Sequence, residues 1–387
     1  MSTRHTSSEA GFSLIESIVA MAIMLLVMGG VFSAMSTAME ANNYVKQMTA
    51  MNSSLGTSMD AIVRDLLQVG QGLPVGRRIE VPNGPGSNPI RRPGPGLVGQ
   101  CQGVTNFPVA ASIAAVSAGA NLGPAVNGVC TDVITVLMAD SSFESVGVAS
   151  IAATGTSLIV DDDVDITGGP AISDDLRAGD LVMLSKGSYT TLLSVSGVVN
   201  QTVTFAVNDT LNLNQFDAGL NMQGTINQLR ASAPVDPTVP APDPNNAGRT
   251  IPGPTLATRI RMITYYVDTV INARSPRLMR IVGGGVPQAV GFDVHNLTFS
   301  YDLFNGDTNP TAVRMLPADL NSGGPCGIRL PTQTPAVFES TCANRIRKVN
   351  VMLAMRSETI NRRLGDYNRN TLFTQVSLRN LSFQDQY

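Results

Sequence analysis

One carboxylate, Glu16, stands at the head of a stretch, Ser17 to Met39, that carries no charge. An acid beside so long an apolar run costs on the order of a few kcal/mol unless it is neutralised, paired or able to reach water. Its chemistry is therefore to pair with a cation or to meet solvent at a membrane surface. Four residues earlier lies Phe12, preceded by Gly11 and the short polar run MSTRHTSSEA. The other reactive side chains are Cys101, Cys130, Cys326 and Cys342. They lack the C-x-x-C spacing of a zinc site, and the only histidines are His5 and His295, so no metal is expected. Four cysteines allow three disulfide pairings. The local one, Cys101–Cys130 with Cys326–Cys342, closes the shortest loops and is favoured in an oxidising compartment, while four buried free thiols is the alternative. Asp161, Asp163 and Asp165 match the opening of an EF-hand loop. Ile166 replaces the required glycine and Ile172 the bidentate glutamate, so the motif fails and a solvated acidic turn is expected. A looser calcium loop recruiting Asp174 or Asp175 is the alternative. No G-x-S-x-G, P-loop or dinucleotide fingerprint occurs, and His295 reads as a packed or surface imidazole on a strand. The chain reads as a non-enzyme with no cofactor.

The elements that must position Glu16 are legible from periodicity. The uncharged stretch is long enough, at ~1.5 Å per residue, to span a bilayer as a helix. A secretory signal would be cut after its apolar run and would not begin with a carboxylate. The helix is expected to continue, because Tyr44, Met48, Met51, Leu55, Met59, Ile62 and Leu66 recur at steps of three and four. Asp60, Arg64 and Asp65 are read onto the other, polar faces. Gly70, Gly72 and Pro74 supply a stop. Residues 73–130 are punctuated by Pro and Gly and read as a long loop, with Arg77-Arg78 and Arg91-Arg92 forming a solvated basic patch, a binding site for acidic lipid or a partner being the alternative. Residues 131–230 carry short β-branched runs separated by turns, and read as an inserted small β-barrel or sandwich. A Pro-rich linker, 231–256, is expected to separate that insert from the C-terminal strands of 257–387, which alternate at period two.

Gly11-Phe12-Ser13-Leu14-Ile15-Glu16 resembles the processing motif of type IV prepilins and type II secretion pseudopilins. The resemblance implies a leader of residues 1–11, cleavage between Gly11 and Phe12 by a prepilin peptidase, and methylation of Phe12. It also implies that Glu16 pairs with the freed amine of a neighbouring subunit's Phe12 during assembly. The order of YYV, LMR, LTFSY, a Cys-bearing Gly/Pro loop, IRKVNVML and VSLRN over 258–381 is similar to PilW-type minor pilins and, in layout, to J-type pseudopilins.

The resulting expectation is an α+β pilin-like fold. A membrane half-helix (12–40) and an amphipathic half (41–72) pack on an antiparallel sheet domain. Charged residues are 14% of the chain with a net charge of −3, which leaves no basic footprint for nucleic acid. The implied function is a minor pilin that initiates pilus assembly or sits at the tip, in the setting of adhesion and twitching motility. A secretion pseudopilin and a membrane-tethered adhesive protein are the alternatives. Implied partners are the peptidase, other minor pilins, the major pilin, the assembly platform and inner-membrane lipid. The expected location is the bacterial inner membrane, single-pass, with the C-terminal domain in the periplasm and in the extracellular pilus after assembly.

Overall fold

The computed structural model describes residues 13–74, 78–83, 87–97, 100–143, 145–160, 176–187, 189–216, 222–232, 241–242, 250–251, 255–272, 274–303, 314–315, 346–361 and 365–382. In chain order the elements are α1 (Leu14–Gln68), β1 (Arg78–Glu80), β2 (Ser112–Ala114), β3 (Val116–Gly119), β4 (Ala125–Val126), β5 (Val129–Cys130) and β6 (Val133–Ala139). Then follow β7 (Val146–Ile151), β8 (Ser157–Val160), β9 (Leu181–Lys186), β10 (Tyr189–Ser194), β11 (Gly197–Val199), β12 (Thr202–Thr204) and α2 (Ile226–Ser232). The last group is β13 (Ala241–Pro242), β14 (Thr250–Ile251), β15 (Leu256–Asp268), β16 (Arg277–Val282), β17 (Gln288–Gly291), β18 (Val294–Leu303), β19 (Arg314–Met315), β20 (Ile346–Asn361), β21 (Asp366–Ser377) and α3 (Arg379–Ser382). This is the expected α+β class: a long N-terminal helix and antiparallel sheets.

Two compact units emerge. The smaller comprises residues 1–52 with 357–368, and the larger 53–356 with 369–387. Within the smaller unit, Gln47 Nε2 on the helix donates to Thr359 Oγ1 (2.5 Å), and Asn368 N donates to Ser357 Oγ (3.1 Å).

The larger unit is organised by β15. Along one edge β15 pairs with β9 and then β16; along the other it pairs with β7 and then β6. An eleven-stranded sheet results. Side chains alternate across a strand, and in β9 Val182 and Leu184 enter one core while Leu181 and Met183 enter another on the opposite face. That is why these strands read as continuous apolar runs: both faces are covered. The linker at 231–256 therefore does not divide two sheets. Strands of 131–230 and the first C-terminal strand share one ladder, so the insert expected as a separate barrel or sandwich is part of the central sheet.

Residues 73–130 also depart from a plain loop, since β1 to β5 lie in them. Ile79, Val81, Ile90, Phe107 and Ile113 cover one face of the sheet and join its core. An irregular segment can lie there because its backbone groups are satisfied: Phe107 N donates to Ile90 O, Arg92 N to Thr105 O, and Arg91 N to Leu211 O. Of the expected basic patch, Arg78 is exposed, Arg77 lies outside the described residues, and Arg92 departs. Arg91 is exposed, but Arg92 is buried, with its guanidinium 4.9 Å from the Phe107 ring centre and its Nη2 donating to Ala118 O (2.9 Å). Burial lowers its pKa to about 10.

A second sheet runs β19-β18-β20-β21. Val294, Leu297, Phe299 and Tyr301 of β18 are fully buried, as are Val349, Val351, Leu353 and Met355 of β20. The register slips between Val294 and Asn296. That bulge explains the three-residue step from Val294 to Leu297 in an otherwise period-two strand.

Candidate assembly interface and the seat of its helix

Ser13 opens α1. Its side-chain oxygen accepts a hydrogen bond from Glu16 N (3.3 Å), and its carbonyl accepts from Ser17 N (3.2 Å). Ser13-Leu14-Ile15-Glu16 thus has the spacing of a capping box, a second signal that lies within the processing motif. It gives Glu16 a local role as well, since an acid in the first turn suits the positive end of the helix dipole. Among the described residues, no cation of this chain lies within ion-pair distance of the Glu16 carboxylate.

Every residue from Ser13 to Lys46 is exposed. Leu14 is 79% exposed and Leu26 78%, so in the isolated chain this apolar surface has nothing over it. By length and composition α1 can cross a membrane. A contiguous exposed apolar surface of this kind fits cover by lipid or by other helices. A Cβ added at Gly29 or Gly30 would meet nothing within 4 Å, which leaves a smooth place on the helix for close approach.

The stripe divides in two. Tyr44 is 44% exposed, whereas Leu55, Met59, Ile62, Leu66 and Val69 are each 3% exposed or less. Those five seat the distal part of α1 in the larger unit, each contributing roughly 2 kcal/mol by removal from water. Ser58 Oγ donates to Val290 O (2.9 Å), and Gly291 lies so close to Ser58 that an added Cβ would sit 2.3 Å from its hydroxyl. After Gln68, Gly70 at φ 76° ends the helix in the left-handed region and donates its N–H to Leu137 O (2.9 Å).

Asp65 departs from its expected place on the polar side, for it is only 7% exposed. Its Oδ2 accepts from Arg280 Nε (2.7 Å) and from Tyr265 Oη (2.6 Å), and its Oδ1 accepts from Arg280 Nη2 (3.3 Å). Burial opposes the Arg280 charge, but the Asp65 carboxylate outweighs it and holds the guanidinium pKa above its usual value. Burial, followed by the neighbouring carboxylate, pushes the Tyr265 phenol well above its ordinary range. The signal that could have found it is spacing: Asp65 lies three residues after Ile62 and four before Val69, inside the buried face.

Cys101 and Cys130 are joined by a disulfide. Cys326, Cys342, Gly11, Phe12 and the acidic run Asp161–Asp165 with Asp174 and Asp175 lie outside the described residues. His295 Nδ1 faces Asn127 Nδ2 at 3.0 Å, an arrangement in which the imidazole accepts a hydrogen bond from a neighbouring turn.

These features define a class: one apolar helical anchor, continuous with a helix that seats an antiparallel β head through a buried ion pair. The family model for the prokaryotic N-terminal methylation motif matches residues 6–32. With the apolar helix, this match supports a type IV pilin-like or pseudopilin-like protein, a structural rather than enzymatic family. The motif implies processing by a prepilin peptidase and assembly with other pilins, and the single helix fits a single-pass anchor. Comparison with curated proteins and with solved structures found no match.

Proposed function

We propose that this chain is a minor pilin of the PilW type, which joins other minor pilins to prime or cap a type IV pilus. The observation that carries the reading is Glu16, inside a processing motif and at the head of an exposed helical stretch, Ser17 to Met39, that carries no charge. Cleavage after Gly11 frees the amine of Phe12. In an apolar bundle, that cation on one subunit neutralises Glu16 of the next. An unpaired acid there is expensive, so the pair selects the register in which a subunit enters. The distal helix keeps the β head outside the membrane, on the periplasmic side, with Arg4 of the leader left in the cytoplasm. The order of the sequence motifs YYV, LMR, LTFSY, IRKVNVML and VSLRN over residues 258–381, similar to that of PilW-type minor pilins, favours the minor-pilin reading over a generic anchor.

Intact mass of the purified protein tests the processing step. Loss of residues 1–11 and gain of one methyl group is the expected result. A chain still beginning at Met1, or trimmed beyond Met39, would overturn it. Placement among minor pilins is tested by cross-linking in the membrane, where recovery of secretion pseudopilins in place of pilus subunits would reassign the protein.

A further inference from the structure

The hairpin β4–β5 is too small to hold itself in place. Each strand has two residues, Val129 is 54% exposed, and of the four strand residues only Val126 is buried. Two-stranded hairpins are marginal in water even when much longer. Yet its turn residue Asn127 reaches across to His295 on β18, the strand that begins the second sheet. The base of the hairpin is held, since Gly123 N donates to Thr131 O (2.9 Å), Thr131 N to Pro124 O (3.2 Å) and Asn121 N to Asp132 Oδ1 (2.9 Å), so it is the tip, residues 125–130, that needs a further hold.

That hold comes from Cys101, whose N–H donates to Gly123 O (3.2 Å) at the base and whose sulfur is bonded to Cys130 beside the tip. The bridge Cys101–Cys130 spans 29 residues of sequence. Cys101 belongs to the loop between two anchored stems, where Phe107 N donates to Ile90 O and Arg92 N to Thr105 O. Ile90 and Phe107 are core residues, and Arg92 is pinned over Phe107. The route therefore runs from the core of the first sheet, through Cys101 and Cys130, to Asn127, and from there to the second sheet. Cys101 itself is exposed, so a reductant can reach the bridge.

A second tie lies close by and does not need the bridge. Asp132 leads directly into β6 and is held by that strand. Asp132 N donates to Leu297 O (3.0 Å), and Asp132 Oδ2 accepts from Phe299 N (3.0 Å). The carboxylate thus closes the edge of β18 as a short stand-in for a strand.

We propose that the Cys101–Cys130 bridge is a redox-operated clasp: oxidised, it holds the tip of the β4–β5 hairpin over the start of β18 and covers His295; reduced, it lets the tip lift while the base, tied to Thr131 and Asp132, stays and Asp132 keeps the two sheets joined. A dithiol is the natural reductant. It delivers two electrons and two protons to the two cysteine sulfurs and is itself oxidised to a cyclic disulfide.

The test uses the full-length protein in detergent, comparing wild type with the Cys101→Ser/Cys130→Ser double variant, which leaves Cys326 and Cys342 untouched. Two readouts are taken: carbethoxylation of His295 by diethyl pyrocarbonate, and hydrogen exchange by peptide mass spectrometry. The double variant is expected to modify His295 on the order of tenfold faster, the protection one hydrogen bond and its ordered turn provide. Exchange should rise in 125–130 and stay unchanged at Asn121, Gly123, Asp132 and Phe299. Asn127→Ala, with the bridge intact, should reproduce the His295 effect alone. Unchanged His295 reactivity in the double variant would overturn the proposal. So would a loss of protection spread evenly over both sheets, because the bridge would then act on global stability and not as a local clasp.

Discussion

Replacing Asp65 by Asn tests how the helix is fastened to the β head. The side chains of Arg280 and Asp65 are 18% and 10% exposed, so the pair is largely out of water. Asparagine keeps the shape and one acceptor but removes the charge. The guanidinium of Arg280 is then left desolvated, and Tyr265 loses a charged acceptor at 2.6 Å. Breaking a buried pair from one side costs about 3–5 kcal/mol, and the remaining amide oxygen recovers part of this, so about 3 kcal/mol is expected. For a unit of this size that lowers the thermal midpoint by about 6 °C or more. The assay is near-UV circular dichroism of the full chain in detergent, which reports the seven tyrosines without interference from tryptophan. Two further variants fix the interpretation. Asp60→Asn, at an exposed position of the same helix, should leave the midpoint unchanged. The double change Asp65→Leu/Arg280→Leu removes both charges and should recover to within about 1 kcal/mol of wild type. If the double variant is as unstable as the single one, or the single one melts with the wild type, the uncompensated-charge reasoning is refuted.

Stability should fall on the alkaline side. The phenols of Tyr265, Tyr266 and Tyr301 are all held above their usual pKa by burial, Tyr266 at about 12, so their contribution is complete below about pH 10 and is lost as pH rises through the folded values. Urea midpoints between about pH 8 and 12 check this, and Tyr265→Phe should flatten the decline; an unchanged slope would remove Tyr265 from the account. Gly224→Ala should weaken the fold severely, because Gly224 has φ +73° and an added Cβ would lie 2.3 Å from Val81 N, on backbone that cannot step aside. A melting point within about 2 °C of wild type, a loss of only about 1 kcal/mol, would contradict that clash. In cells, Gly11→Val should accumulate as uncut precursor on immunoblots. Glu16→Ala should be cut normally yet be depleted from sheared filaments, and normal incorporation would eliminate the pairing role.

Local pattern alone determined a good deal about this protein. The uncharged stretch from Ser17 to Met39, the stripe from Met51 to Leu66 and the β-branched runs each report their own secondary structure, because helix and strand periodicities are properties of neighbouring residues. The processing motif is likewise contiguous, so Gly11, Phe12 and Glu16 could be singled out without knowing the fold. Tertiary structure alone decided which strands share a sheet. The β15 ladder joins Ile260–Tyr265 to Ile134–Ala139, and nothing in either run names the other. It also decided that Pro/Gly-rich residues near Ile79, Ile90 and Phe107 serve as core cover, and that Arg92 lies beneath the surface and not on it. Asp65 shows the reason most clearly. Its partners lie 200 and 215 residues away in sequence, and whether a carboxylate on a helix meets solvent or a guanidinium is settled by the register in which distant strands reach that helix.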